Sequence, residues 1–148
     1  MYRRILVAFD GSPTSQAALQ HAIALARQGE GQLHVVHVVD EVTLNWDSSY
    51  GNPAPLWQKA AAAGDALLQA AVETARTAGV ACDSRLVEMD QLGRRVPELI
   101  AHEAGAWGAE LIIVGAHGRR GLHRLFLGSV AEGVLRVADI PVLLVRDR

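Results

Sequence analysis

The chain has 148 residues, half of them hydrophobic and a fifth charged, which is the size of one domain and the composition of a globular one. That argues against a two-domain enzyme and against a disordered chain. Fourteen basic against sixteen acidic residues leave a formal charge of -2, which disfavours a protein that coats nucleic acid or another polyanion with its whole surface. Of the fourteen basic residues thirteen are Arg and one is Lys59, a bias towards the side chain that pairs bidentately with carboxylate and phosphate.

Residues 1–148 are read as a single domain. The first β-rich run is Ile5 to Phe9, closed by the turn cluster Asp10-Gly11-Ser12-Pro13. Ser12 followed by Pro13 reads as a helix N-cap and first helical position, and Ala18, Ala22, Leu25 and Ala26 then recur at helical spacing until Gly29 and Gly31. Further strands are expected at about Leu33 to Val39, Ala81 to Glu88, Leu111 to Val114 and Val142 to Val145. The helices between them fall at about Leu56 to Ala78, Arg94 to Ala104 and Val130 to Val137.

Strands that read as continuous Val/Ile/Leu runs, alternating with helices, predict an α/β fold: an open five-stranded parallel sheet, doubly wound, with helices on both faces. The strand order is predicted as 3-2-1-4-5, so the loops after the first and fourth strands meet at the switch point, where ligands of such sheets bind. Two connections are long for this fold. Asp40 to Pro55, with Trp46, Tyr50 and Pro53, reads as a surface excursion or an ordered lid; Gly115 to Gly128 lies at the switch point itself.

Three features converge in that second loop. Gly115 and Gly118 follow a strand and offer main-chain N–H groups through a backbone that tolerates positive φ. Gly128-Ser129 opens the last helix, whose N-terminal N–H groups and dipole favour an anion. From Leu111 to Ala131 there is no acidic residue, while Arg119, Arg120 and Arg124 are present. Each part also has a plain structural explanation. Ser129 with Glu132 is a capping box, the glycines are turn formers, and the arginines are a solvated face. Asp10, at the end of the first strand, is placed either to accept hydrogen bonds from ribose hydroxyls or to form an Asx turn.

Other chemistries find no support. The P-loop pattern is absent, and the first βα loop has one glycine where a dinucleotide fingerprint needs three. His34 and His37, three apart on a strand, project to opposite faces and make poor partners for one metal. His117 and His123 have no Cys or acidic residue nearby in sequence, and no nucleophile elbow is present, so no catalytic residue and no metal site are assigned. Cys82 is alone and makes no internal disulfide. Arg3 and Arg4 precede an apolar run too short for a signal peptide, and no run approaches the roughly 18 apolar residues of a membrane span. A soluble, cytoplasmic protein is expected.

The opening Met1-Tyr2-Arg3-Arg4-Ile5-Leu6-Val7-Ala8-Phe9-Asp10-Gly11-Ser12, the spacing Gly115-x2-Gly118-x9-Gly128-Ser129 and the ending Ile140-Pro141-Val142-Leu143-Leu144-Val145 together resemble the universal stress protein family over the whole chain. The resemblance implies the five-stranded α/β fold and, in members with this glycine pattern, binding of ATP, with magnesium as its companion ion. Carried over by position, Asp10 contacts the ribose and main chain near Val38 and Val39 borders adenine. Gly115, Gly118, Gly128, Ser129 and Val130 hold the triphosphate, and Arg119 joins them on the charge argument above. The chain departs from the family pattern at Glu88-Met89-Asp90-Gln91-Leu92, where a short Gly-x-Pro link is usual. The resemblance also implies a homodimer, and the apolar edge strand Val142, Leu143, Leu144 and Val145 supplies a physical reason for one. The leading reading is therefore an ATP-binding stress-response sensor or regulator with, at most, slow hydrolysis. The alternative is a nucleotide-free dimerisation or partner-binding module. A phosphoacceptor receiver domain is the third reading, but this chain lacks the clustered acids and the lysine near the last strand that its chemistry needs.

Overall fold

The computed structural model describes residues 1–39, 54–89, 93–118 and 127–147. Most of the first long loop, residues 40–53, lies outside these, as do 90–92 of the link after the third strand and residues 119–126, with Arg119, Arg120, His123 and Arg124. The strands are β1 (Arg4–Ala8), β2 (Gln32–Val39), β3 (Ala81–Glu88), β4 (Leu111–Gly115) and β5 (Val142–Val145). Among the described residues the helices are α1 (Pro13–Gly29), α2 (Ala54–Thr77), α3 (Val96–Trp107) and α4 (Ser129–Val137). The strands form one five-stranded sheet in the order β3-β2-β1-β4-β5, with every neighbouring pair parallel, as expected from the sequence.

Successive side chains on β1 go to opposite faces. Ile5, Val7 and Phe9 join Leu19 and Ala22 of α1 and Leu68 and Ala71 of α2 in one core, while Leu6 and Ala8 join Ile100 of α3, Val134 of α4, and Ile112 and Val114 in the other. The two central strands are therefore buried on both sides, which is why they read as unbroken apolar runs. Each large aliphatic side chain so buried contributes on the order of 1.5–3 kcal/mol.

The helix starts follow their prolines and caps. Ser12 is the N-cap of α1 and its hydroxyl accepts the Ser15 N–H at 3.3 Å, with Pro13 in the first turn. For α3 the expected start at Arg94 moves to Val96, because Pro97 fits only a first turn and Arg95 is still extended (φ -81, ψ 166). Its end moves from Ala104 to Trp107: Gly105 stays in the helix, and Gly108 takes the left-handed cap at φ 80. In α1 the glycine does not make the turn at all. Glu30 adopts the left-handed conformation at φ 52, while Gly29 remains helical and packs against Met1, whose Sδ would stand 2.8 Å from a Cβ there. Gly64, within α2, lets that helix approach β2; a Cβ would lie 2.7 Å from both His37 Cδ2 and Leu86 Cδ1.

Candidate functional site

Because all strands run the same way, β1, β2 and β4 deliver Ala8, Val39 and Gly115 to one rim of the sheet. Past β1, the Phe9 N–H still donates to Val36 O at 2.8 Å, and the chain turns at Asp10. Asp10 Oδ1 accepts the Ser12 N–H at 2.9 Å, which is an Asx turn. The Ser15 hydroxyl donates to Ser12 O at 3.0 Å and accepts the Asp10 N–H at 3.4 Å. The first turn of α1 thus fixes where the Asp10 carboxylate stands.

Past β4, the Ala116 N–H donates to Val145 O at 2.8 Å, and the Ala116 carbonyl accepts the Gly128 N–H at 2.7 Å. Both ends of the long loop are therefore anchored to one residue. A Cβ on Gly118 would stand 3.2 Å from Asp10 Oδ2, and one on Gly128 would stand 3.3 Å from both Ala116 O and Gly118 N. Asp10, Gly118 and Gly128 meet through main-chain atoms and one carboxylate, in a cradle that added side chains would fill.

Two expectations need correction. Among the described residues the glycines with positive φ are Gly11, Gly79, Gly93 and Gly108, so Gly115, Gly118 and Gly128 serve here by their lack of a side chain and not by backbone freedom. Gly115 is buried against α1, where a Cβ would lie 2.7 Å from the Thr14 carbonyl carbon and 2.9 Å from Ser15 N. Secondly, Ser129 is not the cap of the last helix. Gly128 is the N-cap (φ -64, ψ 155) and makes no side-chain cap, while Ser129 is exposed in the first turn beside half-buried Val130. Glu132, its expected capping-box partner, pairs instead with Arg136 at 2.6 Å. An N-terminus without a capping side chain leaves its first N–H groups and the positive end of the helix dipole, about half an elementary charge, directed at the rim.

Val38, half-buried, and Val39, buried, lie on the same rim at the end of β2, on the other side of β1 from the glycines. The Val39 carbonyl accepts the Met89 N–H at 3.3 Å. Of the residues named from the sequence, the structure brings Asp10, Gly118, Gly128, Ser129 and Val130 together, places Val38 and Val39 nearby, and seats Gly115 behind them against α1. Arg119 lies outside the described residues.

The opposite end of the sheet holds polar chemistry that the sequence did not announce. His34, buried, has Nδ1 2.5 Å from Asp83 Oδ1 and Nε2 2.9 Å from Glu103 Oε1, and Arg85 Nε lies 3.6 Å from the other Glu103 oxygen. The His34 ring stacks on Trp107 at 4.8 Å between centroids, the Arg4 guanidinium lies 4.1 Å from the Trp107 ring centroid, and Arg4 Nη2 donates to the Trp107 carbonyl. Glu103 and Trp107, one turn apart on α3, were the legible hint. His37 projects to the other face, as expected, where its Nδ1 bonds Phe9 O at 2.8 Å. Cys82, next to Asp83, is buried, and burial followed by the Asp83 charge pushes its thiol up to about 11 against the lowering effect of Arg76. Such a thiol stays protonated and unreactive near neutrality.

No helix among the described residues is long and apolar enough to cross a membrane. Residues 1–146 match the model of the universal stress protein family. A putative universal stress protein of Staphylococcus aureus (strain USA300) is 32% identical over 145 residues, covering 98% of this chain and 84% of that one. The crystal structure of a protein of this family from Burkholderia pseudomallei superposes with a TM-score of 0.79 at 35% identity, covering 97% of this chain and 96% of the other. The universal stress protein of Archaeoglobus fulgidus, solved in complex with dAMP, superposes with a TM-score of 0.66 at 25% identity over 97% of this chain and 98% of its own. With the strand order, the rim of glycines and the family model agreeing along nearly its full length, the chain belongs to the universal stress protein family.

Proposed function

We propose that this protein binds ATP at the rim formed by Asp10, Gly118, Gly128, Ser129 and Val130, with Gly115 seating the turn behind them and Val38 and Val39 on the adenine side, and acts as a cytoplasmic stress-response sensor or regulator. The observation that carries the reading is the meeting of Gly118 and Gly128, main chain to main chain, beside the Asp10 carboxylate and at the uncapped start of α4. A phosphate suits that cradle because main-chain N–H groups and a helix N-terminus both favour an anion. The acid-free stretch from Leu111 to Ala131, with Arg119 inside it, favours a polyphosphate over a single phosphate. The Archaeoglobus fulgidus relative, held with dAMP, supports an adenine nucleotide as the ligand class. Magnesium would arrive on the phosphates, since that ion keeps most of its water and needs few protein ligands. Asp10 Oδ1 is engaged by the Ser12 N–H, and no general base is assigned, so regulation is favoured over turnover.

The test is calorimetric titration with ATP and magnesium. Gly118→Val presses a branched side chain towards Asp10 Oδ2 and abolishes binding while the circular dichroism and melting temperature stay close to wild type. Equal affinity in the two proteins refutes the phosphate-loop reading. A wild type that shows neither heat nor a thermal shift with ATP and magnesium favours the nucleotide-free dimerisation module instead.

The assembly proposed is a homodimer across β5. The Pro141 and Val145 carbonyls accept hydrogen bonds from Ile112 and Ala116, so by the two-residue alternation the main-chain groups of Val142 and Leu144 face the free edge. Leu143 is 37% exposed there, with Leu135 and Val137 of α4 also exposed. Leu144→Pro removes an outward donor and should shift sedimentation to the monomer; an unchanged dimer would rule out this edge as the interface.

A further inference from the structure

We infer that Thr14 is the positioning residue of the rim: from the first turn of α1 its hydroxyl holds the turn after β4 in the shape that receives the nucleotide. The inference rests on the nucleotide reading above. Thr14 is 3% exposed, and a hydroxyl buried that far needs partners, because leaving it unsatisfied forfeits its bonds to water with nothing in return. It is not needed as a helix cap, a task that Ser12 already performs for α1. Instead the Thr14 hydroxyl donates to the carbonyl of His117 and accepts the His117 N–H at 3.4 Å. One side chain therefore satisfies both main-chain groups of a residue 103 positions away.

The neighbours of His117 make this arrangement specific. Gly115, two residues earlier, provides the seat: a Cβ there would run into the Thr14 and Ser15 backbone. Ala116 is tied to β5 and to Gly128, so its place is set by the sheet and by the far end of the loop. Gly118, one residue later, is the one whose main chain stands beside Asp10 and Gly128. His117 is the link between the anchored residue and the residue that faces the ligand, and Thr14 is what holds that link. Thr14 also adjoins Ser15, whose hydroxyl bonds the Asp10 main chain, so consecutive residues of α1 set the two halves of the cradle. Amides held in place before the anion arrives bind it without the ordering cost that a loose loop would incur.

The test uses the full chain as wild type, Thr14→Val and Thr14→Ser. Valine keeps the branched shape and leaves the His117 N–H and carbonyl without a partner, whereas serine keeps the hydroxyl. Titration with ATP and magnesium should show Thr14→Val weaker by about tenfold or more, the equivalent of one buried hydrogen bond, and Thr14→Ser within about threefold of wild type. In the unliganded proteins, NMR-detected hydrogen exchange at the His117 amide should accelerate in Thr14→Val and recover in Thr14→Ser. If Thr14→Val lowers the melting temperature enough to populate unfolded chain, Thr14→Ala takes its place in both measurements. A Thr14→Val protein with wild-type affinity and wild-type His117 protection overturns the inference while leaving the nucleotide reading intact. A wild type that binds no ATP overturns the nucleotide reading and the binding role of Thr14 with it, and the exchange data then report separately whether the hydroxyl holds the turn.

Discussion

At one end of the sheet Asp10, His117, Gly118 and Gly128 meet through main-chain atoms, a carboxylate and the small hydroxyl residues of α1, whereas at the other Arg4, His34, Asp83, Glu103 and Trp107 meet through long side chains that reach one another. The difference follows from what each end leaves unsatisfied. The rim ends in loops and a helix start whose N–H groups lack intrahelical partners, and glycines keep them accessible. At the opposite end the side chains satisfy one another, His34 being flanked on both ring nitrogens and Glu103 shared between His34 and Arg85. The first arrangement suits a ligand; the second closes a seam between β2, β3 and α3.

If that division holds, perturbing the seam should change stability and not binding. Glu103→Ala removes a buried carboxylate from His34 and Arg85 and should cost about 2–3 kcal/mol in urea unfolding, the scale of lost hydrogen bonds to a buried carboxylate, with the ATP affinity of the folded protein unchanged. An affinity that falls in step with stability would show the two ends to be coupled. Next in size is Gly115→Ala, which tests the seat of Thr14. Its Cβ meets the Thr14 hydroxyl and, beside it, helix backbone that cannot turn aside, so a loss of about 2 kcal/mol is expected together with weakened ATP binding. Wild-type binding in that variant would mean that the rim tolerates displacement from α1.

The smallest effect concerns Cys82, beside the seam. The unfolded thiol releases its proton near 9.0 and the folded one near 11, so the folded state holds the proton longer. Stability from this group is complete below pH 9.0 and declines as pH rises towards 11. Cys82→Ala should therefore flatten the alkaline part of the urea-midpoint profile and lower the neutral part only by a constant offset from the lost packing. An alkaline limb of the same slope in both proteins would mean the thiol is not the titrating group.

How much of this was legible varied with the range of the interaction. The parallel, doubly wound sheet followed from the alternation of buried runs with helices, since parallel strands need crossovers of one hand, and its strand order is the expected one. The rim was legible as spacing: Gly118 and Gly128 are separated by a loop that returns to the same sheet end, and the end of β1 was already known to lie beside it. Helix ends were less so. Gly29 looked like a stop, yet Met1 packs on it and Glu30 takes the left-handed turn. Ser129 looked like a cap, but the cap position falls one residue earlier, at Gly128, and Ser129 is the first residue of the helix.

Local periodicity and turn chemistry act over a few residues, so the amino-acid order alone determined the α/β class, the strand order, the place of the switch point and the family. What glycine was for, and what held it, only the folded chain decided. Gly115 reads like a phosphate-facing residue until α1 is seen packed against it, and Thr14 has no role until His117 arrives from 103 positions away. His34, Asp83 and Glu103 come from two strands and a helix and become one network only when the sheet and α3 close on them. The physical reason is common to both: burial takes water away from polar groups, and only the tertiary structure says which partner replaces it.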